Sequence, residues 1–330
     1  MFKTILNLDV IDTHTEGEPT RIIFWNNIPT NVKSVKEMYE YFKSKYDHVR
    51  KLMLLEPRGH SSQFGAVILP PINQGSNFSL LFLTTSGYLD MCGHATIGVS
   101  TVLTSLGYVE IEEPYTKIVY DTLAGKIEAK VNIKDGNIIN VSIIDVESYF
   151  LESENIYLKP LDKNIDVNIS YGGNYYAIVK SEDIGIELKI ENIGKLIYYG
   201  NLIREEAYSN LLKKYKDIKY PLAMITEDSG EKNVYKSIVV FSRNSFDRSP
   251  CGTGTAARAA LLYHENKIGY NGSFIHRSII DTKYNCRVLG IKDTGTQEKI
   301  IPEITGRAWI TQFSKIILDP EDPFNAGFIT

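Results

Sequence analysis

The stretch DRSPCGTGTAARAALL at residues 247–262 places Cys251 directly before a glycine-containing turn and an alanine-rich segment that is typical of a helix. A second stretch, DMCGHATIGVSTVL at residues 90–103, has the same arrangement around Cys92. Both read Cys-Gly-x-x-Thr, and both follow an apolar strand-like run. Each is expected to continue as a helix of about four turns that ends near a glycine, Gly107 in the first case and Gly269 in the second. The two motifs lie about half a chain apart. The repeat therefore predicts two similar domains, each with a thiol at the N-terminus of its own central helix.

Strand-like segments outnumber helical ones in the rest of the chain. Runs rich in Ile, Val and Tyr are bounded by Gly, Asn, Asp or Pro, as is typical of strands and their turns. Helical spacing of apolar residues predicts helices near residues 35–46 and 193–215, whereas HVRKLMLLE at residues 48–56 is expected to be a strand. Many strands around few helices indicate an α+β fold rather than a doubly wound parallel sheet.

Composition limits the class of protein. The chain has 330 residues, 43% of them hydrophobic, which is enough for sizeable cores. Its net charge of −4 and its pI near 5.9 argue against nucleic acid as a partner. The sequence has neither a long apolar run nor the pattern of a targeting peptide, so we expect no membrane span and a cytoplasmic location. The three cysteines form neither a disulfide framework nor a Cys-x-x-Cys zinc pair, and no metal is expected.

A thiol at the start of a helix can act as a base. The positive end of the helix stabilises a thiolate and can lower the pKa of a cysteine from about 8.5 toward neutrality. Small residues in both motifs leave backbone N–H groups open to a carboxylate. If the two domains face each other across a cleft, one thiolate removes a proton from the carbon next to a carboxylate and the other thiol returns one to the opposite face.

Simpler interpretations of each motif exist. A lone cysteine is more often a small buried packing residue, as we expect for Cys286. CGTGT does not indicate a phosphate loop, because the Gly-Lys-Ser/Thr ending is missing. Two packing cysteines would rarely share both spacing and context, so the repeat favours the paired site.

Several motifs together resemble the proline racemase family, which also contains hydroxyproline 2-epimerases and 3-hydroxyproline dehydratases. They are DTHTEGEPTRII, EPRGH, GYLDMCGHATIG, YGGNYYAIV, DRSPCGTGT and ITGRAWIT, and they span nearly the whole chain. The resemblance implies a cofactor-independent isomerase with a diaminopimelate-epimerase-like fold: two similar domains, each a curved, mostly antiparallel sheet around a central helix, with the active site in the cleft between them. It also implies a small-molecule substrate and a homodimer. The expected domains are residues 1–125 plus 308–330, and residues 126–307.

The resemblance also implies roles for individual residues. Cys92 and Cys251 match the acid/base pair, and Asp247 matches the residue that accepts hydrogen bonds from the substrate ammonium group. Two phenylalanines match the apolar wall around the substrate ring, and four residues next to the cysteines match the backbone N–H groups that hold the substrate carboxylate. These residues are Phe64 and Phe241 for the wall, and Gly93, His94, Gly252 and Thr253 for the carboxylate.

The same resemblance separates activities within the family. The dehydratases carry threonine at the second cysteine position, so Cys251 favours an isomerase with two acid/base groups. The phenylalanine wall favours proline, since it offers no partner to a ring hydroxyl. GGNYYA and TGRAW are nearer to the hydroxyproline-type relatives, and 4-hydroxyproline epimerisation is the alternative. A 3-hydroxyproline dehydratase and a non-enzymatic thiol redox or binding protein remain less favoured.

One segment departs from the family pattern. HRSIIDTKY carries Arg277, Asp281 and Tyr284 where the pattern has other residues. A glycine followed by Ser or Thr is replaced there by Asp281-Thr282. We expect this change to reshape the domain contact or the nearby pocket wall.

Overall fold

The computed structural model describes residues 6–29, 31–295 and 297–329. Its helices are α1 Val35–Leu54, α2 Gly93–Ser105, α3 Ser181–Ile184, α4 Ile193–Lys214 and α5 Gly252–His264, and two short 3-10 turns lie at Lys159–Leu161 and Ile190–Asn192. Its strands are β1 Leu6–Thr15, β2 Glu18–Phe24, β3 Phe64–Leu69, β4 Phe78–Thr84, β5 Gly87–Leu89, β6 Tyr115–Thr122, β7 Gly125–Lys134, β8 Asn137–Ile144, β9 Tyr149–Leu158, β10 Lys163–Tyr171, β11 Tyr175–Lys180, β12 Leu222–Asp228, β13 Val234–Ser242, β14 Ser245–Asp247, β15 Ser273–Arg277, β16 Lys283–Asp293, β17 Glu298–Gly306 and β18 Ala308–Leu318. None of the helices in these ranges is long and apolar enough to cross a membrane.

The chain forms two compact units. The first comprises Met1–Ile143 and Arg307–Thr330, and the second comprises Ile144–Gly306. The boundary expected after residue 125 would lie beside the turn of the β6–β7 hairpin, where Thr122 pairs with Gly125. A boundary there would separate two strands that pair along their whole length, so the first unit continues to Ile143. The return of the chain to the first unit lies within one residue of the expected position.

The first unit wraps one sheet around α2. β2 runs parallel to β3, and β3, β4 and β5 follow one another antiparallel. β6 runs parallel to β4 and pairs with β7, while β1 joins β2 to β18. α2 contacts β1, β2, β3, β7 and β18, and its residues from Gly93 to Thr104 are all buried. Such a helix must be apolar or small on every face, as GHATIGVSTVLT is.

The second unit is built the same way around α5. β11 runs parallel to β12, and β12, β13 and β14 follow antiparallel. β15 runs parallel to β13 and pairs with β16, which pairs with β17, while β10 joins β11 to β9. α5 contacts β9, β10, β11, β16 and β17, and it is buried from Gly252 to Leu262. On the other side of this sheet, α4 packs its buried side chains, such as Ile203, into a second core.

The repeat seen in the sequence is therefore a repeat of topology. The path β1-β2-α1-β3-β4-β5-α2-β6-β7 recurs as β10-β11-α4-β12-β13-β14-α5-β15-β16, with parallel and antiparallel pairings in the same places. The two central helices each have 13 residues. The predicted α+β fold of two similar units, each with a sheet around a central helix, is confirmed.

Two local predictions differ from the structure. The strand expected at residues 48–56 is wrong, because α1 continues to Leu54 and packs Val49 and Met53 into the same core as Phe42. A non-helical residue, Tyr46 with φ −128°, interrupts the helical periodicity at that point.

The ends of the central helices also differ from one another. α2 ends at Ser105 and is followed by Gly107 with φ +74°, as expected for a glycine that terminates a helix. α5 ends at His264, and Asn266 with φ +57° takes the left-handed position instead. Gly269, the glycine expected at this end, lies beyond the helix, because asparagine also tolerates the left-handed conformation.

Candidate active site

Cys92 and Cys251 each occupy the N-cap position of a central helix. In each motif, the threonine four positions later donates two hydrogen bonds to the carbonyl oxygen of the cysteine. Thr96 donates from its N–H at 3.0 Å and from its hydroxyl at 2.9 Å, and Thr255 does so at 2.8 and 2.7 Å. The hydroxyl bond is the helical back-bond to residue i−4 that threonine favours. The Thr of Cys-Gly-x-x-Thr thus ties each cysteine to its helix.

The backbones of the two cysteines are not equivalent. Cys92 is extended, with φ −146° and ψ 105°, whereas Cys251 has φ +67° and ψ 118°. A positive φ is strained for a residue with a Cβ atom, and such strain concentrates at functional sites. The second motif therefore holds its thiol in a conformation that the sequence repeat does not indicate.

Both helix N-termini carry an unbalanced partial positive charge. The first N–H groups of a helix have no acceptor within the helix. Neither α2 nor α5, both wholly within the described residues, has an acidic residue in its first turn. Gly93 and His94 begin α2, and Gly252 and Thr253 begin α5, as expected for groups that offer N–H donors to an anion. Their contact with a substrate carboxylate stays a prediction.

The Cys92 thiol lies against a histidine and a phenylalanine. Its Sγ is 3.5 Å from Nδ1 and 3.7 Å from Nε2 of His94. Burial lowers the pKa of His94 to about 3, so the ring is neutral at physiological pH. The ring of Phe64 packs edge-on against His94, with centroids 4.7 Å apart. The carbonyl oxygen of His94 accepts a hydrogen bond from the hydroxyl of Thr15 at 2.7 Å, which fixes this turn to β1.

The Cys251 thiol is almost fully buried, with 8% of the residue exposed. The hydroxyl of Tyr176 lies 3.3 Å from its Sγ, and Thr253 Oγ1 lies at 3.9 Å. Burial, followed by the charge of Asp247, raises the pKa of the Cys251 thiol, while bonds from Tyr176 and from the N–H of Gly254 lower it. The lowered pKa expected from the helix N-terminus is therefore wrong for this cysteine, because burial and a neighbouring carboxylate outweigh the helix. A thiol in this state is protonated at neutral pH.

The glycine at position 254 makes room for that sulfur. A Cβ atom added to Gly254 would lie 3.2 Å from Cys251 Sγ and 2.9 Å from the terminal methyl carbon of Met224. The second glycine of CGTGT is thus needed for packing around the thiol rather than for binding phosphate.

Asp247 is linked to Cys251 through Ser249. Its Oδ1 accepts hydrogen bonds from the N–H and the hydroxyl of Ser249, at 2.8 and 2.7 Å. The hydroxyl oxygen of Ser249 accepts the N–H of Cys251 at 3.1 Å. Burial raises the pKa of Asp247 to about 6. The structure thus places a titratable carboxyl group beside the second thiol, and its bond to a substrate ammonium group stays a prediction.

Phe241 lies on the hairpin that leads to Asp247. β13 and β14 pair through Val240–Phe246 and Ser242–Ser245, and the register shifts at the residue between them. Phe241 is that residue, half-buried at a β-bulge, a feature that commonly re-aims a side chain. Its place in the wall around a substrate ring stays a prediction.

The motif YGGNYYAIV has a role at the second thiol that its sequence does not reveal. The turn before β11 presses on the start of α5: a Cβ atom at Gly172 would lie 2.4 Å from Thr253 O and from Ala257 N. This approach brings Asn174 Nδ2 to 3.4 Å and the hydroxyl of Tyr176 to 2.6 Å from Thr253 Oγ1. A Gly-Gly pair before a strand is the signal of such a close approach.

A second missed residue is His276. Its Nδ1 lies 2.8 Å from Thr255 Oγ1 and its Nε2 lies 2.8 Å from Ser237 Oγ. The ring is fully buried and its pKa is lowered to about 3 by burial and by Arg258. His276 therefore holds, as a neutral ring, the threonine that holds the carbonyl of Cys251.

The residues that depart from the family pattern make local contacts. Asp281, with φ +62°, lies in the exposed turn between β15 and β16 and pairs with Lys236 at 2.9 Å. Arg277 pairs with Glu231 at 3.1 Å, and the side chain of Tyr284 is fully buried.

Comparison with known proteins gives the wider context. The proline racemase family model matches residues 10–329. A proline racemase from Acetoanaerobium sticklandii is 35% identical over 327 residues, covering 97% of this chain and 98% of that protein. A 4-hydroxyproline 2-epimerase from Streptosporangium roseum is 34% identical over 328 residues, covering 97% of each. The crystal structure of a hydroxyproline epimerase from Agrobacterium vitis, with bound trans-4-hydroxy-L-proline, matches all of this chain and 97% of that one at a TM-score of 0.88 and 24% identity.

These matches define the protein as an isomerase that acts on amino acids, with the diaminopimelate-epimerase-like fold expected from the sequence. The chain belongs to the proline racemase family.

Proposed function

We propose that this protein inverts the C2 configuration of proline without a cofactor, using Cys92 and Cys251 as its two acid/base groups. One observation carries the proposal: two equivalent central helices each begin at a buried thiol, and neither has an acidic residue in its first turn. Membership of the family and the proline racemase relative support the choice of substrate.

The chemistry is a pair of proton transfers. A thiolate takes the proton from C2, and the electron pair of the C–H bond passes into the carboxylate group of the substrate. The other thiol then delivers its proton to the opposite face of C2, so the two cysteines exchange protonation states and the substrate is inverted. Backbone N–H groups at the helix N-termini stabilise the charge that develops on the carboxylate oxygens. The thiol of Cys251, protonated in its buried setting, suits the acid role first.

The remaining groups bind the substrate. Gly93, His94, Gly252 and Thr253 are assigned to the carboxylate through their N–H groups. Asp247, as an anion, is assigned to the ring ammonium group. Phe64 and Phe241 are assigned to the apolar ring.

Inversion of 4-hydroxyproline is the second candidate. It is favoured by a polar cluster beside Cys251, where the amide of Asn174 and the hydroxyl of Tyr176 each lie within hydrogen-bond distance of the hydroxyl of Thr253. A ring hydroxyl needs partners of this kind. The edge-on packing of Phe64 against His94 near the other thiol favours the unsubstituted ring. The relative from Streptosporangium roseum is named for the second activity.

A substrate panel separates these activities. Purified protein is incubated, with no cofactor added, with L-proline, trans-4-hydroxy-L-proline or trans-3-hydroxy-L-proline, and the products are resolved by chiral chromatography. We expect D-proline from the first substrate. If an epimer formed from the second substrate alone, the substrate would be hydroxyproline rather than proline. A ketimine or pyrroline from the third would indicate a dehydratase, and no product from any of the three would refute the proposal.

Replacement of each thiol tests the mechanism. Cys92→Ser and Cys251→Ser should each reduce inversion by several orders of magnitude, because a serine hydroxyl does not ionise at neutral pH. Cys286→Ala is the matched control: this third thiol is buried in β16, outside both helix motifs, and its loss should leave the rate nearly unchanged. A near-normal rate in either serine variant would exclude two-base catalysis.

Two further features belong to the proposal. Family resemblance supports a homodimer, which light scattering on the purified protein tests. Catalysis by free thiols also fits a reducing compartment such as the cytoplasm, since oxidation of either cysteine would abolish its acid/base role.

A further inference from the structure

A chain of hydrogen bonds leads to the sulfur of Cys251. The amide nitrogen of Asn174 donates to Thr253 Oγ1 at 3.4 Å, Thr253 Oγ1 lies 2.6 Å from the hydroxyl of Tyr176, and that hydroxyl lies 3.3 Å from Cys251 Sγ. The four groups come from the turn before β11, from β11 itself and from the start of α5.

The amide fits a chain in which each hydroxyl donates toward the sulfur. An amide NH₂ group can only donate, so Thr253 Oγ1 accepts there and keeps its own proton to donate. When Thr253 donates to the oxygen of Tyr176, the proton of Tyr176 is left for the sulfur. Donors aligned in series polarise one another, and in a dry site the last bond is strengthened. Tyr176 is fully buried, so water does not compete for that proton.

This arrangement matters most for the thiolate. A neutral thiol is a weak hydrogen-bond acceptor, whereas a thiolate accepts strongly, so the hydroxyl stabilises the ionised form selectively. Asp247 acts in the opposite sense, because its negative charge disfavours a second anion beside it.

We propose that Tyr176 is a catalytic residue: its hydroxyl donates a hydrogen bond to Cys251 Sγ and stabilises the thiolate that takes the C2 proton or has just delivered one. The proposal rests on the proposed acid/base role of Cys251. It adds a residue outside both cysteine motifs to the site.

Tyr176→Phe removes this donor and keeps the ring. Tyr175→Phe is the matched control, because Tyr175 is the neighbouring residue of β11 and its hydroxyl pairs with that of Tyr149 at 3.1 Å. Neighbouring residues of a strand point to opposite faces, so the control removes a hydroxyl without touching the thiol.

The first measurement needs no turnover. Wild type and both variants are alkylated with iodoacetamide from pH 7 to 11, and each cysteine peptide is quantified by mass spectrometry. In Tyr176→Phe the pH midpoint for Cys251 should rise by about one unit, which makes alkylation about tenfold slower at a fixed pH below the midpoint. Cys92 should react as in wild type, and the fully buried Cys286 should stay unreactive if the variant is folded. An unchanged Cys251 profile in a folded variant would overturn the proposal.

The second measurement uses proline inversion. In Tyr176→Phe, kcat/KM should fall about tenfold and its pH profile should move to higher pH. The fall must be equal in both directions, since the two enantiomers have the same free energy. A lower rate with an unmoved profile would indicate a merely structural role and would overturn the proposal. If the wild type inverts no substrate but the alkylation shift is observed, the proposed function is refuted. The hydrogen bond from Tyr176 to the sulfur of Cys251 is then still supported.

Discussion

Ser249 holds the carboxylate of Asp247 by two hydrogen bonds to one oxygen, from its N–H at 2.8 Å and from its hydroxyl at 2.7 Å. The same hydroxyl oxygen accepts the N–H of Cys251. The proposed ammonium ligand and the proposed acid/base group therefore have a fixed relative position within five residues of sequence. Burial raises the pKa of this carboxyl group to about 6, which brings its change of charge close to physiological pH.

Proline inversion should therefore lose efficiency in acid. The pKa of Asp247 is raised, so the anion that binds the substrate ammonium group is present above about pH 6 and is lost as the pH falls through that value. We expect kcat/KM to decline below about pH 6. Asp247→Asn should lower kcat/KM by about 10- to 100-fold, mainly through KM, because it replaces a carboxylate that pairs with the ammonium group by a neutral amide. Steady-state rates from pH 4.5 to 9 test both expectations.

The control for this prediction is Asp281→Asn. Asp281 is 69% exposed and pairs with Lys236 in a surface turn, so its loss should leave the profile of the wild type unchanged. If kcat/KM of Asp247→Asn declined in acid with the same pH midpoint as in the wild type, the decline would have to come from another group.

Gly172 should be intolerant of any side chain. A Cβ atom there would meet two backbone atoms of α5, Thr253 O and Ala257 N, at 2.4 Å. Backbone atoms of a buried helix cannot move away without shifting the first turn that carries Thr253. We expect Gly172→Ala to lower the free energy of unfolding by about 2 kcal/mol or more and to lower the inversion rate as well.

Gly194→Ala is the comparison for Gly172→Ala. Gly194 lies in the first turn of α4, and a Cβ atom there would meet nothing within 4 Å. Alanine should be neutral or stabilise this helix by up to about 1 kcal/mol. Urea unfolding of both variants measures the difference, and equal stabilities would contradict the close approach of the turn to α5.

Asp145 should make the stability of the protein depend on pH. It is buried, its Oδ1 accepts the N–H of Val146 at 2.8 Å, and its Oδ2 has no hydrogen-bond partner among the described residues. Burial raises its pKa to about 7. The folded protein thus keeps a proton that the unfolded chain, with a pKa near 3.8, releases. The contribution of Asp145 to the free energy of unfolding is fully present below about pH 4 and is lost as the pH rises to about 7. The loss amounts to up to about 4 kcal/mol.

Asp145→Asn removes that dependence, since an amide does not titrate in this range. The free energy of unfolding of the variant minus that of the wild type should therefore increase between pH 5 and pH 8. Urea unfolding at both values measures this change, in which the contributions of all other groups cancel. A difference that does not vary with pH would show that Asp145 is ionised in the folded protein at pH 5.

The spacing of residues within the two cysteine motifs was enough to predict two similar units, each with a thiol at the N-terminus of its central helix. Cys92 and Cys251 share a five-residue motif whose threonine makes the same two bonds in both units, so a local pattern has a local structural cause. The long helix after residue 35 was predicted only up to its break. Tyr46 interrupts the periodicity there, and the apolar run that follows is short enough to be either a helix or a strand.

Contacts between distant parts of the chain were not predictable in this way. Tyr176 reaches Cys251 because β11 pairs with β12 and because the turn at Gly172 presses on α5. The Gly-Gly pair signals a close approach but does not identify α5 as the partner, and the pairing of β11 has no spacing that can be read from the sequence. The raised pKa of Cys251 has the same origin. The helix N-terminus is visible in the sequence, whereas the burial that outweighs it depends on packing from many elements.

The strained backbone of Cys251 should be measurable as stability. Alanine at this position keeps the Cβ atom that disfavours φ +67°, whereas glycine adopts positive φ freely. Cys251→Gly should therefore be more stable than Cys251→Ala by about 1 kcal/mol, although both lack the thiol. At Cys92, where φ is −146°, the order should reverse, with the glycine variant less stable than the alanine variant by about 0.5–1 kcal/mol. Urea unfolding of the four variants tests both orders, and a Cys251→Ala variant as stable as Cys251→Gly would contradict the left-handed conformation at the second thiol.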